Sequence, residues 1–126
     1  MPPSMSVEDF SHDYITTWST EDDGERQRLI DQLYADDATF FADEPGDDPV
    51  ERHGRAEIMQ NITQVNERLT QRAGLATTQT GVVENHDVLR VSWQMTTADG
   101  TIALTGMNLL IRDDSGMITR DYIFIG

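Results

Sequence analysis

The 126-residue chain has no cysteine, and it has no lysine, so all nine of its basic residues are arginine. The first absence removes disulfides, thiolate metal sites and cysteine nucleophiles, and it fits a reducing, cytoplasmic setting. Long apolar runs are also missing. Nothing approaches the roughly 20 residues a membrane-spanning helix requires. The opening "MPPSMSVEDF" lacks the basic region and apolar run of a secretory signal. Positive charge is scarce, with 9 Lys+Arg against 23 Asp+Glu and a net charge of −14. Nucleic acid and anionic membranes attract basic patches, so neither is an expected partner. There is no G-x-S-x-G, no P-loop and no G-x-G-x-x-G. His12, His53 and His86 show no zinc-like spacing with one another or with the acids, so no metal and no cofactor are expected.

What remains is an ordinary globular composition, 37% hydrophobic and 25% charged, of a length suited to one domain over residues 1–126. Ser6 with Asp9 forms a capping-box start, and Val7, Phe10, Tyr14 and Trp18 recur at helical spacing, which predicts a helix to about Ser19. Leu29, Ile30, Leu33 and Tyr34 mark a short second helix. "DATFFAD" reads as a brief strand and "EPGDDPVERHG", with two prolines and two glycines, as a loop. A stripe of Ile58, Ile62, Val65 and Leu69 predicts a third helix from Arg55 to about Thr70. Four strands follow, Thr77–Glu84, Asp87–Thr96, Thr101–Arg112 and Met117–Ile125, joined by "ENH", "ADG" and "DDSG". Connections this short imply antiparallel neighbours. Helices followed by a strand meander indicate an α+β fold, with three N-terminal helices covering one face of a curved sheet.

The tract "LYADDATFFAD…HGRAEI…VLRVSWQMTTADGTIALTGMNLLIRDDSGMITRDYIF" resembles the SnoaL-like and ketosteroid-isomerase-like branch of the nuclear transport factor 2-like superfamily, from about Trp18 to the end. The resemblance implies a cystatin-like α+β barrel: a cone-shaped mixed or antiparallel sheet wrapped around the helices, with a pocket at one end. It is a poor guide to activity, because this fold hosts isomerases, cyclases, epoxide hydrolases, dehydratases and binding modules.

Side chains alternate faces along a strand. Val91, Trp93 and Met95 form one inward set, Leu104, Gly106, Asn108 and Leu110 another, and Asp121, Ile123 and Ile125 a third. Asp121 is therefore expected to face a mostly apolar cavity. Desolvation there would raise its pKa from about 3.9 toward neutrality and suit it to general acid or base work. The competing expectation pairs it with Arg120 or Arg90. Asn108 matches the position of an oxyanion donor in ketosteroid isomerases, and an amide can donate there without a shifted pKa. The match to the partner tyrosine of those enzymes is Trp18. Their catalytic base matches Ala42, with Asp43 one residue later, so a second carboxylate at Asp43 requires a local bulge. "Arg120-Asp121-Tyr122" is similar to the last strand of limonene-type epoxide hydrolases, but the companion strand offers Arg90 and Ser92 where those enzymes need an arginine and an aspartate. Polyketide cyclases of the SnoaL type need one aspartate.

The catalytic candidates are thus Asp121, Asn108 and Asp43. Tyr14, Trp18, Phe40, Met59, Trp93, Met95, Leu104 and Ile123 are expected to contact a small apolar organic ligand. The expected activity is cofactor-independent acid/base chemistry, whether isomerisation, cyclisation, dehydration or epoxide hydrolysis. The alternative is a non-catalytic module that only binds a ligand or dimerises. Arg90, Ser92 and Gln94 on the outward register, with Met107 and Leu109, make a surface suited to a homodimer.

Overall fold

The computed structural model describes residues 5–42 and 49–126. Helix α1 (Val7–Ser19) starts where the Ser6 side chain accepts a hydrogen bond from the Asp9 backbone N–H, which satisfies one of the donors a helix start leaves open. Asp22 caps α2 (Asp23–Leu33) in the same way through Glu25. The chain then enters strand β1 (Tyr34–Ala42), turns back as β2 (Val50–His53), and forms α3 (Gly54–Val65), which widens into a π-helical segment (Asn66–Arg72). Strands β3 (Ala76–Asn85), β4 (Val88–Thr96), β5 (Ile102–Arg112) and β6 (Ile118–Ile125) complete it.

One mixed sheet has the order β2-β1-β6-β5-β4-β3. The last four strands are the antiparallel meander expected from their short connections. The first strand behaves differently: β1 pairs parallel with β6 and antiparallel with β2. Because β2 and β3 are both edges, the sheet does not close into a complete barrel. Its concave face is covered by helices. Phe10, Tyr14, Ile30, Leu33, Ile58 and Ile62 from the helical stripes meet Leu89, Val91, Trp93, Met95, Leu110 and Ile118 from the sheet, all buried. Each such side chain contributes about 1.5–3 kcal/mol on burial.

Two expectations are corrected. Tyr34 continues the helical stripe in sequence, yet it is the first residue of β1, immediately after Leu33. Arg55 at the start of α3 holds it there: its Nε donates to the Tyr34 carbonyl at 2.9 Å and its Nη2 to the Asp31 carbonyl at 3.2 Å. These are carbonyls at the open end of α2, where a cation is favoured. Gly54 makes the approach possible, entering α3 with φ of 83°, a conformation that side chains rarely tolerate. The second correction is β2, since Val50–His53 pairs with Thr39–Ala42 where the prolines and glycines around it predict only loop. His53 sits at the head of α3, and its backbone N–H donates to the Glu57 carboxylate at 2.9 Å. It serves the turn and stands away from the cavity described below.

Buried Arg26 ties the helices to one another. Its guanidinium donates to the Thr17 carbonyl at 3.0 Å and to the Thr20 carbonyl at the end of α1, and pairs with Asp23 at 2.7 Å.

Gly106 on β5 is the tightest place in the sheet. A Cβ there would lie 2.5 Å from Trp93 Cζ2 and 2.7 Å from the Phe124 carbonyl oxygen. The first contact could be relieved by moving a ring, but the second is with backbone. Gly106→Ala is therefore expected to destabilise by about 1–3 kcal/mol, measured by urea unfolding, with a change in Trp93 fluorescence. An unchanged midpoint would show that the sheet yields at no cost.

Candidate functional site

Asp121 on β6 is fully buried. The alternation inferred from sequence holds: Asp121 faces the helical side of the sheet, while Arg120 beside it is exposed. No arginine holds its carboxylate. Three neutral donors do. The Tyr14 hydroxyl from α1 donates to Oδ2 at 2.7 Å, the Tyr34 hydroxyl from β1 donates to the same oxygen at 2.6 Å, and Asn108 Nδ2 from β5 donates to Oδ1 at 2.8 Å. Asn108 is itself oriented, because its Oδ1 accepts from Trp93 Nε1 at 2.8 Å. The result is a chain of donors running from Trp93 through Asn108 into the carboxylate, with two phenols converging from the other side.

Burial opposes this charge and the three hydrogen bonds support it. Burial wins: the Asp121 carboxyl is pushed up from 3.8 to about 6, against the pull of Asn108, Tyr34 and Tyr14 in that order. Both phenols are pushed well above their ordinary value of 10.0, first by burial and then by the neighbouring carboxylate. The phenols are therefore neutral donors at any physiological pH, and the carboxyl group is the member of the set that titrates near neutrality.

A cavity of about 610 Å³ opens between the helices and the concave face of the sheet, a size usual for small organic ligands. Tyr14, Trp18, Phe40, Trp93, Met95, Leu104, Asn108 and Ile123 line it. Met59 does not; it packs against the core from α3. Asp121 is likewise absent from the wall, lying one layer behind Tyr14 and Asn108. Asn108 lines the cavity; one of its amide hydrogens is bonded to Asp121, and the second has no partner among the described residues. Trp18 Nε1 is buried with no hydrogen-bond partner among the described residues. Asp43 lies outside the described residues. Alternation along the strands could not reveal Tyr34, whose hydroxyl reaches Asp121 although its sequence context reads as helix. Nor could it reveal the polar lining residues Asn61, Gln64, Arg52 and Arg68. The first, second and fourth-named of these sequence positions had one signal, since residues 61, 64 and 68 share a helical face.

Solved structures share this architecture. A candidate isomerase of the SnoaL-like family from Agrobacterium tumefaciens superposes with a TM-score of 0.80 at 19% identity, over 95% of this chain and 97% of that one. A nuclear transport factor 2-like protein of unknown function from Cytophaga hutchinsonii gives 0.68 at 13%, over 100% and 95%. A candidate polyketide cyclase from Sinorhizobium meliloti gives 0.64 at 17%, over 92% and 94%. No family model and no curated protein matches the sequence. These likenesses show a shared fold, three helices against a six-stranded mixed sheet, which SnoaL-like and nuclear transport factor 2-like proteins also have.

The buried carboxyl group ties stability to pH. Its folded pKa of about 6 lies above the unfolded value of 3.8, so the folded state binds the proton more tightly. That contribution is complete below pH 3.8 and is lost as pH rises to about 6, at a cost on the order of 2–3 kcal/mol. Many surface acids titrate nearby, so the difference between parent and Asp121→Asn isolates it. Urea unfolding from pH 4 to 7 is expected to show the parent losing stability relative to the variant by that amount; parallel curves would place the titration elsewhere.

Proposed function

We propose that the protein is an enzyme that performs cofactor-independent acid/base chemistry on a small, largely apolar organic molecule held in the cavity. The observation that carries this reading is the Tyr14–Asp121 hydrogen bond, which joins a residue of the cavity lining to a carboxyl group pushed up to about 6. A carboxyl group in that range is close to the optimum for proton exchange at neutral pH.

The geometry supports a two-step relay. With Asp121 ionised, the Tyr14 proton points to Oδ2 and the phenol oxygen is free to accept from a substrate hydroxyl or a carbon acid. As it accepts, its own proton passes to Asp121, so the carboxylate takes up one proton net. In reverse, protonated Asp121 gives its proton to the Tyr14 oxygen while the Tyr14 proton passes to a substrate oxygen. Tyr14 is then the group that touches substrate, and Asp121 is the reservoir. Asn108 and Tyr34 hold the reservoir in place and set its pKa. Trp18 Nε1 supplies a donor for a substrate oxygen. A single proton store of this kind suits enolisation-type isomerisation, aldol-type cyclisation and dehydration better than epoxide hydrolysis, which calls for a second carboxylate. The SnoaL-like neighbours named as a candidate isomerase and a candidate polyketide cyclase are consistent with that preference.

A second reading, a ligand-binding module without chemistry, is favoured by one fact: Asp121 has no surface in the cavity, and three donors already satisfy it. Turnover separates the two. With a substrate found by screening small cyclic ketones and hydroxyketones, Tyr14→Phe and Asp121→Asn are each expected to lower kcat by about 10²–10⁴. Tyr34→Phe removes a donor that favours the ionised carboxylate, so it is expected to move the inflection near pH 6 upward while sparing most of the rate. Unchanged turnover in both of the first two variants would eliminate the Tyr14–Asp121 relay, and no turnover of any screened compound by the parent would favour the binding module.

We also propose that the convex face of the sheet pairs with a second copy of the chain. Phe41 stacks on Tyr122 at 4.6 Å between ring centres, and Leu109 and Met107 lie beside Tyr122 and Phe124 in register. Phe124 remains half exposed. A continuous apolar strip of this kind marks an interface. Sedimentation velocity is expected to show a dimer that Phe124→Arg shifts toward monomer; a monomeric parent would rule the pairing out.

A further inference from the structure

The residues that line the cavity are mostly apolar, but two arginines are among them. Arg52 comes from β2 and is half-buried; Arg68 comes from the π-helical segment and is exposed. Asn61 and Gln64 from α3 line the cavity as well. The chain has only nine basic residues and a net charge of −14. Two of the nine line this one cavity.

Neither arginine is committed elsewhere among the described residues. The ion pairs there are Arg26 with Asp23 and Arg112 with Glu84. Arg52 donates only to the Glu51 carbonyl, at 3.1 Å, which leaves most of its five-donor fork unused. An arginine that merely faces water adds little. These two instead border a space built for an apolar molecule. A planar guanidinium matches a carboxylate with two parallel hydrogen bonds.

We propose that the cavity selects an amphipathic organic carboxylate. Its hydrocarbon body would lie against Trp93, Met95 and Leu104, its carboxylate would sit with Arg52 and Arg68, and its reacting oxygen would face Tyr14 and Trp18 Nε1. This rests on the reading of the cavity as a site for small apolar molecules and adds the charge such molecules must carry.

The two tryptophans, Trp18 and Trp93, both line the cavity, so intrinsic fluorescence reports its occupancy. The test is titration with phenylbutyrate and with its uncharged counterpart, phenylbutanol. The acid is expected to bind about tenfold more tightly, by the scale of one charge-assisted contact, and high salt is expected to erase the difference. Arg52→Gln combined with Arg68→Gln should bring the acid down to the level of the alcohol while leaving the alcohol's affinity and the melting temperature as they were. Equal binding of acid and alcohol by the parent would overturn the carboxylate assignment and leave the apolar cavity standing. So would a preference for the acid that survives in the double variant. Failure of both probes to bind would remove the apolar-ligand reading and this inference with it.

Discussion

A carboxylate without a cation, buried inside the molecule, is the constraint around which the rest is organised. An unpaired ionised group in a dry interior is costly, and neutral donors lower the cost without removing it. Four elements meet at Asp121: β6 carries it, and α1, β1 and β5 each contribute one donor. Their relative positions are therefore tied to one point. Arg55 pins the β1 donor from behind, and Trp93 orients the β5 donor. Because the donors are phenols and an amide, the carboxyl group keeps a raised pKa of about 6 and can change charge near neutrality. An arginine in their place would have driven it below its ordinary range and fixed the charge permanently.

How much of this was readable from the amino-acid sequence depended on the range of the interaction. Period-two alternation is local, and it correctly turned Trp93, Met95, Asn108 and Asp121 to the helical side of the sheet. It could not report depth. Whether Asp121 is on the wall or behind it depends on where Tyr14 and Asn108 lie, and these belong to other elements. Tyr34 extends a run of Leu29, Ile30 and Leu33 at good helical spacing, so only the tertiary contact from Arg55 moves it into a strand. The four residues of β2 are too few to show periodicity, and the prolines and glycines upstream mask them further. Arg52 and Arg68 look like ordinary solvated charges in the chain. Their common location is a property of the folded wall.

The fold itself argues for no particular reaction, since the same architecture carries many. The particulars of this chain are a buried, titratable carboxyl group, aromatic and aliphatic cavity residues, and two arginines among those that line the cavity. A cavity lined in this way can hold an amphipathic molecule in one orientation. That orientation is a prerequisite for any chemistry at Tyr14, because a ligand free to reverse would present its reacting oxygen there only part of the time.

The parallel pairing of β1 with β6 has a kinetic consequence. Hairpins such as β3–β4 can close between near neighbours, but β1 must wait for a strand some eighty positions downstream. Contacts between remote segments are slow to form because the intervening loop must close first. During synthesis β6 emerges after the helices and the other strands, so Tyr14 and Tyr34 wait for the carboxylate they share. The residue that completes the interior is also the one whose charge is hardest to place there, and β1 has no partner on that side until β6 arrives.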